Sequence, residues 1–181
     1  YMAVGQSNIA YTFDEAVTNS PENYGGKNVV PDESDPIRIC NNGLVYQNAY
    51  PAQGSDEECK DIIQNGGWQK TSPESVKDFS AVGYFFARDI IEKTDGKIPV
   101  GIIEINGNGQ AINAFLPNEV SNALKTDEKD SDGLYKTNYA GTKIPTRFMY
   151  NHYMRPFKHT AIAGMIWYQG ESDFISGSYE T

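Results

Sequence analysis

The sequence is poor in histidine and cysteine, and its cations are outnumbered by its anions. Its 181 residues include two histidines, two cysteines, and 15 lysines and arginines against 24 aspartates and glutamates, which gives a net charge of -9. We therefore expect no nucleic-acid partner, because phosphate binding needs a basic surface. No apolar run approaches the length of a membrane-spanning helix, so we also expect no membrane span.

The scarce sulfur and imidazole groups also limit metal chemistry. His152 and His159 lie far from both cysteines and match no ligand spacing, so we expect no metal site. Cys40 and Cys59 both lie in polar, loop-like sequence. Two unpaired thiols and one disulfide both stay open as interpretations, because bridging depends on geometry.

The chain is 39% apolar and 12% aromatic and is long enough for one domain with its own core. It opens inside an apolar run, residues 1–4, that predicts the end of a buried strand. We therefore expect the natural N-terminus to lie upstream, and the lack of a visible signal peptide says nothing about compartment.

The segment Gly5-Gln6-Ser7-Asn8 follows that predicted strand. Gly5 permits a sharp exit from the strand, and Ser7 then stands on the turn, where a following helix could offer its first amides to an anion. This is a suitable place for a nucleophilic serine. It is equally a suitable place for a serine that caps a helix, which is the commoner use of such a position.

Residues 9–70 are rich in turn signals and only weakly periodic, which is typical of long functional loops. The aromatic residues of this stretch are Tyr11, Phe13, Tyr24, Tyr46, Tyr50 and Trp68. They could form a platform for a sugar, or they could pin the loops to the body of the protein.

Apolar periodicity predicts a helix over about 78–93, closed by Gly96, and a buried strand over 98–105. A second helix is predicted over about 146–157 and another strand over 161–168. Helices that alternate with apolar strands indicate a parallel sheet covered on both faces. Polar, glycine-containing loops follow three of its strands, at 5–8, 106–110 and 169–173, and ligands bind at this edge of parallel sheets.

Four blocks of the sequence together resemble one family. They are Gly5-Gln6-Ser7-Asn8, residues 79–88, residues 99–110, and Trp167-Tyr168-Gln169-Gly170-Glu171-Ser172. In this order they are similar to the sialate O-acetylesterase group of carbohydrate esterases, within the SGNH (GDSL-like) hydrolase superfamily. The resemblance implies a flavodoxin-like three-layer α/β/α fold with a central parallel sheet. It implies one domain over residues 1–181, incomplete at its C-terminus and at its N-terminus.

The resemblance also implies a serine esterase that removes acetyl groups from sugar hydroxyls without a cofactor or metal, in a secreted or periplasmic location. Ser7 would be the nucleophile, and its own amide would help to hold the oxyanion. The backbone N–H of Gly109 and the side chain of Gln169 would be the second and third oxyanion donors. Ester cleavage places negative charge on the carbonyl oxygen, which preorganised and non-titrating N–H groups stabilise.

Two features depart from the family pattern. The loop Asn108-Gly109-Gln110 stands where the family usually has Gly-Gly-Thr, which leaves the contacts to the acyl group and the sugar open. A serine esterase also needs a base for the serine proton, and in this family it is a histidine in an Asp-x-x-His block. No such block occurs before Thr181, and His152 and His159 do not match it. We expect the base in a continuation of the chain, and both histidines at the surface or at a helix end.

Three interpretations of Glu171 stay open: the acid that orients the histidine, a bystander to an aspartate of the absent block, and a buried structural carboxylate. Two alternative functions also stay open, a catalytically silent carbohydrate-binding module on the same fold and an esterase of simple acyl esters. Polar, tyrosine-rich loops disfavour the second alternative. The acetylated sugar and the oligomeric state are not fixed by the sequence.

Overall fold

The computed structural model describes residues 1–19, 30–43, 67–124, 138–139, 142–143 and 147–176. These residues divide into two compact units. The first unit holds the described residues of 1–43, 67–106 and 162–168, and the second holds those of 107–161 and 169–176. Each unit is described by itself, and the domain boundary of 1–181 stays a prediction.

The first unit is built on a mostly parallel sheet. The strands along the chain are β1 (Met2–Gly5), β2 (Ile37–Asn41), β3 (Trp68–Lys70), β4 (Val100–Asn106), β5 (Asn138–Tyr139), β6 (Thr142–Lys143) and β7 (Met165–Tyr168). Five of these described strands form one sheet in the order β3-β2-β4-β1-β7, in which only the pairing of β3 with β2 is antiparallel. The predicted α/β fold with a central parallel sheet is confirmed.

Four described helices accompany this sheet: α1 (Ser7–Ala10), α2 (Phe13–Asn19), α3 (Pro73–Lys77) and α4 (Ala81–Lys93). The predicted helix over 78–93 is therefore present, but it begins three residues late. Ser80 is its N-cap and accepts a hydrogen bond from the Gly83 amide at 3.2 Å. At its other end Gly96 has a φ of 69° and donates its N–H to the Ile91 carbonyl at 2.9 Å, as predicted.

One face of the sheet packs on α4, and the apolar core of the first unit lies there. Its buried members are Ala3, Ile9, Ile37, Ile39, Val76, Phe79, Tyr84, Ala87, Ile91, Val100 and Ile102. Of the apolar residues whose spacing predicts this helix, Phe79 and Ile91 are buried. Tyr84 and Ala87 are fully buried, whereas Phe85 and Phe86 are only half-buried. Alanine and glycine let the helix approach the sheet closely, but a pattern of large apolar residues does not include them.

The stretch 9–70 contains more regular structure than its composition predicts. Helix α2 and strands β2 and β3 all fall inside it. The strands have five and three residues, and β3 is exposed along its length. Such short segments carry too little periodicity for an apolar pattern. Strand β2 is held by its pairing with β4, and β3 by its pairing with β2.

In the second unit, Ile112–Phe115 forms a 3-10 helix, followed by α5 (Asn118–Leu124) and the β5–β6 hairpin. The predicted second helix is present as a π-helical turn, Tyr150–Met154, followed by a 3-10 turn, Arg155–Phe157. The last described element is α6 (Glu171–Ser176). Of the apolar residues in the predicted helix over 146–157, Phe148, Met149 and Phe157 are buried, whereas Met154 is only half-buried.

The register of the sheet fixes how its strands end. Gly5 pairs with Asn106 of β4 on one side and with Tyr168 of β7 on the other. The three strands are parallel, so their carboxyl ends are level at one edge of the sheet. The chain leaves that edge at Gln6, Gly107 and Gln169.

The close approach of β7 makes Gly5 sensitive to substitution. A Cβ at Gly5 would overlap the Tyr168 carbonyl oxygen and lie 2.8 Å from Ile9 Cγ1. We expect Gly5→Ala to lower the free energy of unfolding by about 2 kcal/mol or more, because backbone atoms of β7 must move. Urea denaturation measures this.

Gly164→Ala is the matched control, since a Cβ there would meet only Tyr1 ring carbons at 3.4 Å or beyond. The control should change stability by less than about 1 kcal/mol. Equal losses in the two variants would contradict the steric explanation.

Candidate active site

Ser7 lies at the exit of the central strand β1. The Gln6 amide donates to the Tyr168 carbonyl at 3.3 Å, and the Gln6 carbonyl accepts from the Ile9 and Ala10 amides at 2.9 and 3.1 Å. Ile9 and Ala10 are buried, which anchors the short helix α1 to the core. Ser7 itself is exposed. The turn thus buries Gln6 before this serine and leaves Ser7 in contact with solvent.

The alternative in which Ser7 caps a helix is wrong. Gln6 is the N-cap residue of α1, without a side-chain capping bond, and Ser7 is the first helical residue. Helix α1 has only four residues, so the expected helix dipole is that of a single turn. Capping therefore does not explain why a serine stands here.

Gly109 and Gln110 lie in the second unit, on the loop that follows β4. Gly109 has a φ of 68°, a conformation that favours glycine, and the Gln110 amide donates to the Gly107 carbonyl at 3.2 Å. Gln110 is buried. A side chain at Gly107 would collide with Gln110 Cγ at 2.6 Å and Met149 Sδ at 2.8 Å. The loop therefore needs glycine at 107 for space and at 109 for backbone conformation.

Gln169 also lies in the second unit, and its side chain joins two loops. Its Nε2 donates to the Gln110 carbonyl at 3.1 Å and to the Asp173 carboxylate. A primary amide has two N–H groups, so these two bonds engage both of them. Gln169 is thus brought next to the loop of Gly109. Ser7 belongs to the first unit, and its convergence with Gly109 and Gln169 stays a prediction.

Asp173 is a polar residue of this loop to which the sequence assigned no role. It is 9% exposed, and its two carboxylate oxygens accept from the Ile112 amide at 3.0 and 3.1 Å. The only signal in the sequence was its place in the third polar loop, four residues after Gln169.

Glu171, the fourth predicted site residue, is exposed at the first position of α6. The interpretation of Glu171 as a buried structural carboxylate is therefore wrong. The two interpretations that involve a histidine stay predictions.

The two histidines both lie in the second unit. The sequence predicted that they stand at the surface or at a helix end. His152 is half-buried in the π-helical turn, and its ring lies 4.8 Å from the Phe148 ring. His159 is exposed after the last 3-10 turn.

Two of the aromatic residues in the stretch 9–70 pack against the body of the first unit. Phe13 contacts the Tyr84 ring at 5.2 Å and so pins α2 to the core. Trp68 lies over Gly101, where a Cβ would stand 3.2 Å from its ring, yet it is 47% exposed. Tyr24, Tyr46 and Tyr50 lie outside the described residues, so a sugar platform stays a prediction.

Among the described residues, no group of three histidine, cysteine, aspartate or glutamate side chains could hold a metal ion. Burial raises the pKa of the Cys40 thiol to about 11, and this thiol is free. Cys59 lies outside the described residues. No helix in the described parts of the chain is long and apolar enough to cross a membrane.

A buried polar cluster at the end of β4 was missed by the sequence analysis. Glu104 is 1% exposed; its carboxylate accepts from the Ser80 amide at 2.8 Å and from the Asn106 side-chain amide. It therefore ties the N-cap of α4 to the strand end beside Gly5. The signal was a carboxylate inside an apolar strand, which needs buried partners.

The central sheet, mostly parallel and flanked by helices, places the chain among the α/β proteins that carry polar loops at the carboxyl ends of their strands. Within that class, the family model described as "Carbohydrate esterase, sialic acid-specific acetylesterase" matches residues 1–180. The chain belongs to this family, as the resemblance predicted.

The chain is also similar to a solved structure, "Crystal structure of XAC1771, a novel carbohydrate acetylesterase from Xanthomonas citri". The TM-score is 0.62 at 24% sequence identity, over 95% of this chain and 32% of that one. At this identity the likeness is one of fold. The chain spans about a third of the length of that protein. No curated protein matches the chain.

The Glu104 cluster predicts a pH-dependent stability. Burial raises the pKa of Glu104 to about 7, although the bonds from Ser80 and Asn106 oppose the shift; the usual value is 4.5. The folded protein then holds this proton more tightly than the unfolded chain. Its contribution is fully present below about pH 4.5 and is lost as the pH rises through about 7, by on the order of 3 kcal/mol.

Urea denaturation at several pH values between 4.5 and 8 measures this loss. Glu104→Gln should flatten the decline, because the amide does not titrate. Glu74→Gln, an exposed glutamate in α3, should follow the unmodified protein. A Glu104→Gln protein with the original decline would assign the pH dependence to other groups.

Proposed function

We propose that this chain carries the nucleophile and the oxyanion donors of a serine esterase that hydrolyses acetyl esters of sugar hydroxyls. The observation that carries the proposal is the exposed Ser7 at the exit of β1, in a chain of the carbohydrate esterase family. Family membership supports ester hydrolysis on a carbohydrate. The serine mechanism and the individual roles are our inference.

In the proposed mechanism, Ser7 Oγ attacks the acetyl carbonyl carbon and gives its proton to a base. The carbonyl oxygen becomes an oxyanion that accepts from the Ser7 amide, the Gly109 amide and the Gln169 side chain. Collapse of this intermediate breaks the bond to the sugar oxygen, which leaves with the proton from the base. Water then attacks the acetyl-serine, and acetate leaves with Ser7 regenerated.

The base is not among the residues to which we assign a role. His152 packs on the Phe148 ring, and the resemblance places the catalytic histidine in an Asp-x-x-His block. Glu171, exposed at the start of α6, is accessible to such a histidine in the proposed mechanism. Its role as the orienting acid is part of the proposal.

One observation favours a second candidate, the silent carbohydrate-binding module. Both N–H groups of Gln169 are engaged by Gln110 and Asp173, so a free third donor is not ready in this structure. A silent module would bind an O-acetylated sugar without releasing acetate. Measuring sugar binding and acetate release on the same sample separates the two functions.

The proposed nucleophile is tested by Ser7→Ala in the whole protein that carries this chain. We expect kcat for release of acetate from an O-acetylated sialic acid to fall by at least about 10³-fold, since residual rates come only from binding and the oxyanion donors. The circular dichroism spectrum should not change, because the Ser7 side chain is exposed.

Ser34→Ala, an exposed serine in the turn before β2, is the matched control and should keep full activity. Activity that survives Ser7→Ala would overturn the assignment of the nucleophile. Assays with acetylated xylose and 4-nitrophenyl acetate then tell whether sialic acid, another sugar or any acyl ester is preferred.

The two histidines provide a further test. His152→Ala and His159→Ala should each leave kcat within about threefold of the unmodified protein, because neither is assigned the proton of Ser7. A loss of about 10³-fold or more in either variant, with the fold intact, would show that a histidine of this chain serves as the base. The pH profile of kcat/KM in both variants checks the assignment. Loss of the base would remove the part of the pH dependence that the titration of this base produces.

A further inference from the structure

The buried carboxylate of Asp173 lies where two loops of the second unit meet. One loop carries Gly109 and continues to Ile112, whose amide donates to both Asp173 oxygens at 3.0 and 3.1 Å. The other loop carries Gln169, whose Nε2 donates to Asp173 Oδ2. Asp173 is thus bonded to both loops that hold proposed oxyanion donors.

The carboxylate also decides which way the Gln169 amide faces. An ionised carboxylate only accepts hydrogen bonds, so the nitrogen side of the amide must face it and the oxygen side must not. This removes the flipped orientation, in which Oε1 would stand where Nε2 stands now. The second N–H is then directed at the Gln110 carbonyl, next along the chain from Gly109.

The two acceptors of Gln169 differ in charge. Asp173 offers a side-chain carboxylate, and Gln110 offers a neutral backbone carbonyl 3.1 Å away. A charge-assisted bond is the stronger of the two. The N–H that rests on the Gln110 carbonyl is therefore the one that an oxyanion can take over, while the bond to Asp173 persists.

We propose that Asp173 is a positioning residue of the esterase reaction: it holds Gln169 with one N–H directed toward the Gly109 loop and tethers that loop through Ile112. The proposal rests on the proposed oxyanion role of Gln169. Asp173 touches no reacting atom and acts only through its neighbours.

A double-mutant cycle in the whole protein tests this role. Gln169→Ala should lower kcat by about 10²-fold, the usual cost of one oxyanion donor. Asp173→Asn keeps an oxygen for the Ile112 amide but presents an NH₂ to Gln169, so we expect kcat about 10-fold lower with KM within about twofold. The double variant should match Gln169→Ala within about threefold, because nothing is left to position.

Asp32→Asn is the matched control, since its carboxylate also accepts a backbone amide, that of Ser34 at 2.7 Å, in an exposed turn of the first unit. It should leave kcat and KM unchanged. The proposal would be overturned if the losses in kcat of the two single variants multiply in the double variant, or if Asp173→Asn changes only KM. Asp173 would then have a structural role. Unchanged kcat in Gln169→Ala would overturn it too.

Ser7→Ala, assayed in parallel, keeps the two hypotheses apart, because only its full activity would overturn the proposed function. If Asp173→Asn does not fold, the unmodified protein provides the test. With ¹⁵N in the glutamine side chains, and the signal assigned by its loss in Gln169→Ala, both Gln169 N–H atoms should exchange at least about tenfold more slowly than in an unfolded chain. Exchange at the unfolded rate would overturn the proposal.

Discussion

The location of Ser7 depends on the two parallel pairings of β1. With β4 on one side and β7 on the other, the four residues of this strand satisfy their backbone groups within the sheet and are fully buried. The pairing of Gly5 with both Asn106 and Tyr168 levels the three strand ends. It also forbids a side chain at Gly5, because β7 runs where a Cβ would stand. The sharp exit to Ser7 follows from this constraint on sheet packing.

The same edge of the sheet contains a polar core. Glu104 reaches from β4 to the start of α4, where its carboxylate accepts a hydrogen bond from the Ser80 amide, and the Asn106 side-chain amide donates to the same carboxylate. A buried carboxylate costs free energy unless its oxygens are bonded, and here the strand and the helix N-cap supply the donors. The rigid framework beneath the turn therefore combines apolar burial with a hydrogen-bonded cluster whose strength depends on protonation.

The elements that the sequence predicted correctly are those whose apolar residues repeat over a long enough stretch. They are β1, α4, β4 and the helical turns that precede β7. Strands β2 and β3 were not predicted, because strands of five and three residues are held by their neighbours and are too short to show a pattern of their own. Among the candidate site residues, the exposed Ser7 could be placed from Gly5 and the preceding apolar run. Other features depend on contacts between segments distant along the chain, which residue spacing does not encode. They are the exposure of Glu171, the hydrogen bonds of Gln169 and the burial of Asp173.

Gln169, the proposed oxyanion donor, already donates two hydrogen bonds, to Gln110 and to Asp173. A donor that is occupied before the reaction can still favour the transition state. Only an interaction that is stronger in the transition state than in the ground state accelerates the reaction. In the proposed mechanism, Gln169 starts on the neutral backbone carbonyl of Gln110 and would lose only a modest bond on turning to an oxyanion. The bond that it gains is charge-assisted, and the neutral carbonyl of a bound ester offers no such gain. If Gln169 has the proposed role, its resting bond to Gln110 would favour the transition state over the ground state, with Asp173 keeping the amide from turning away altogether.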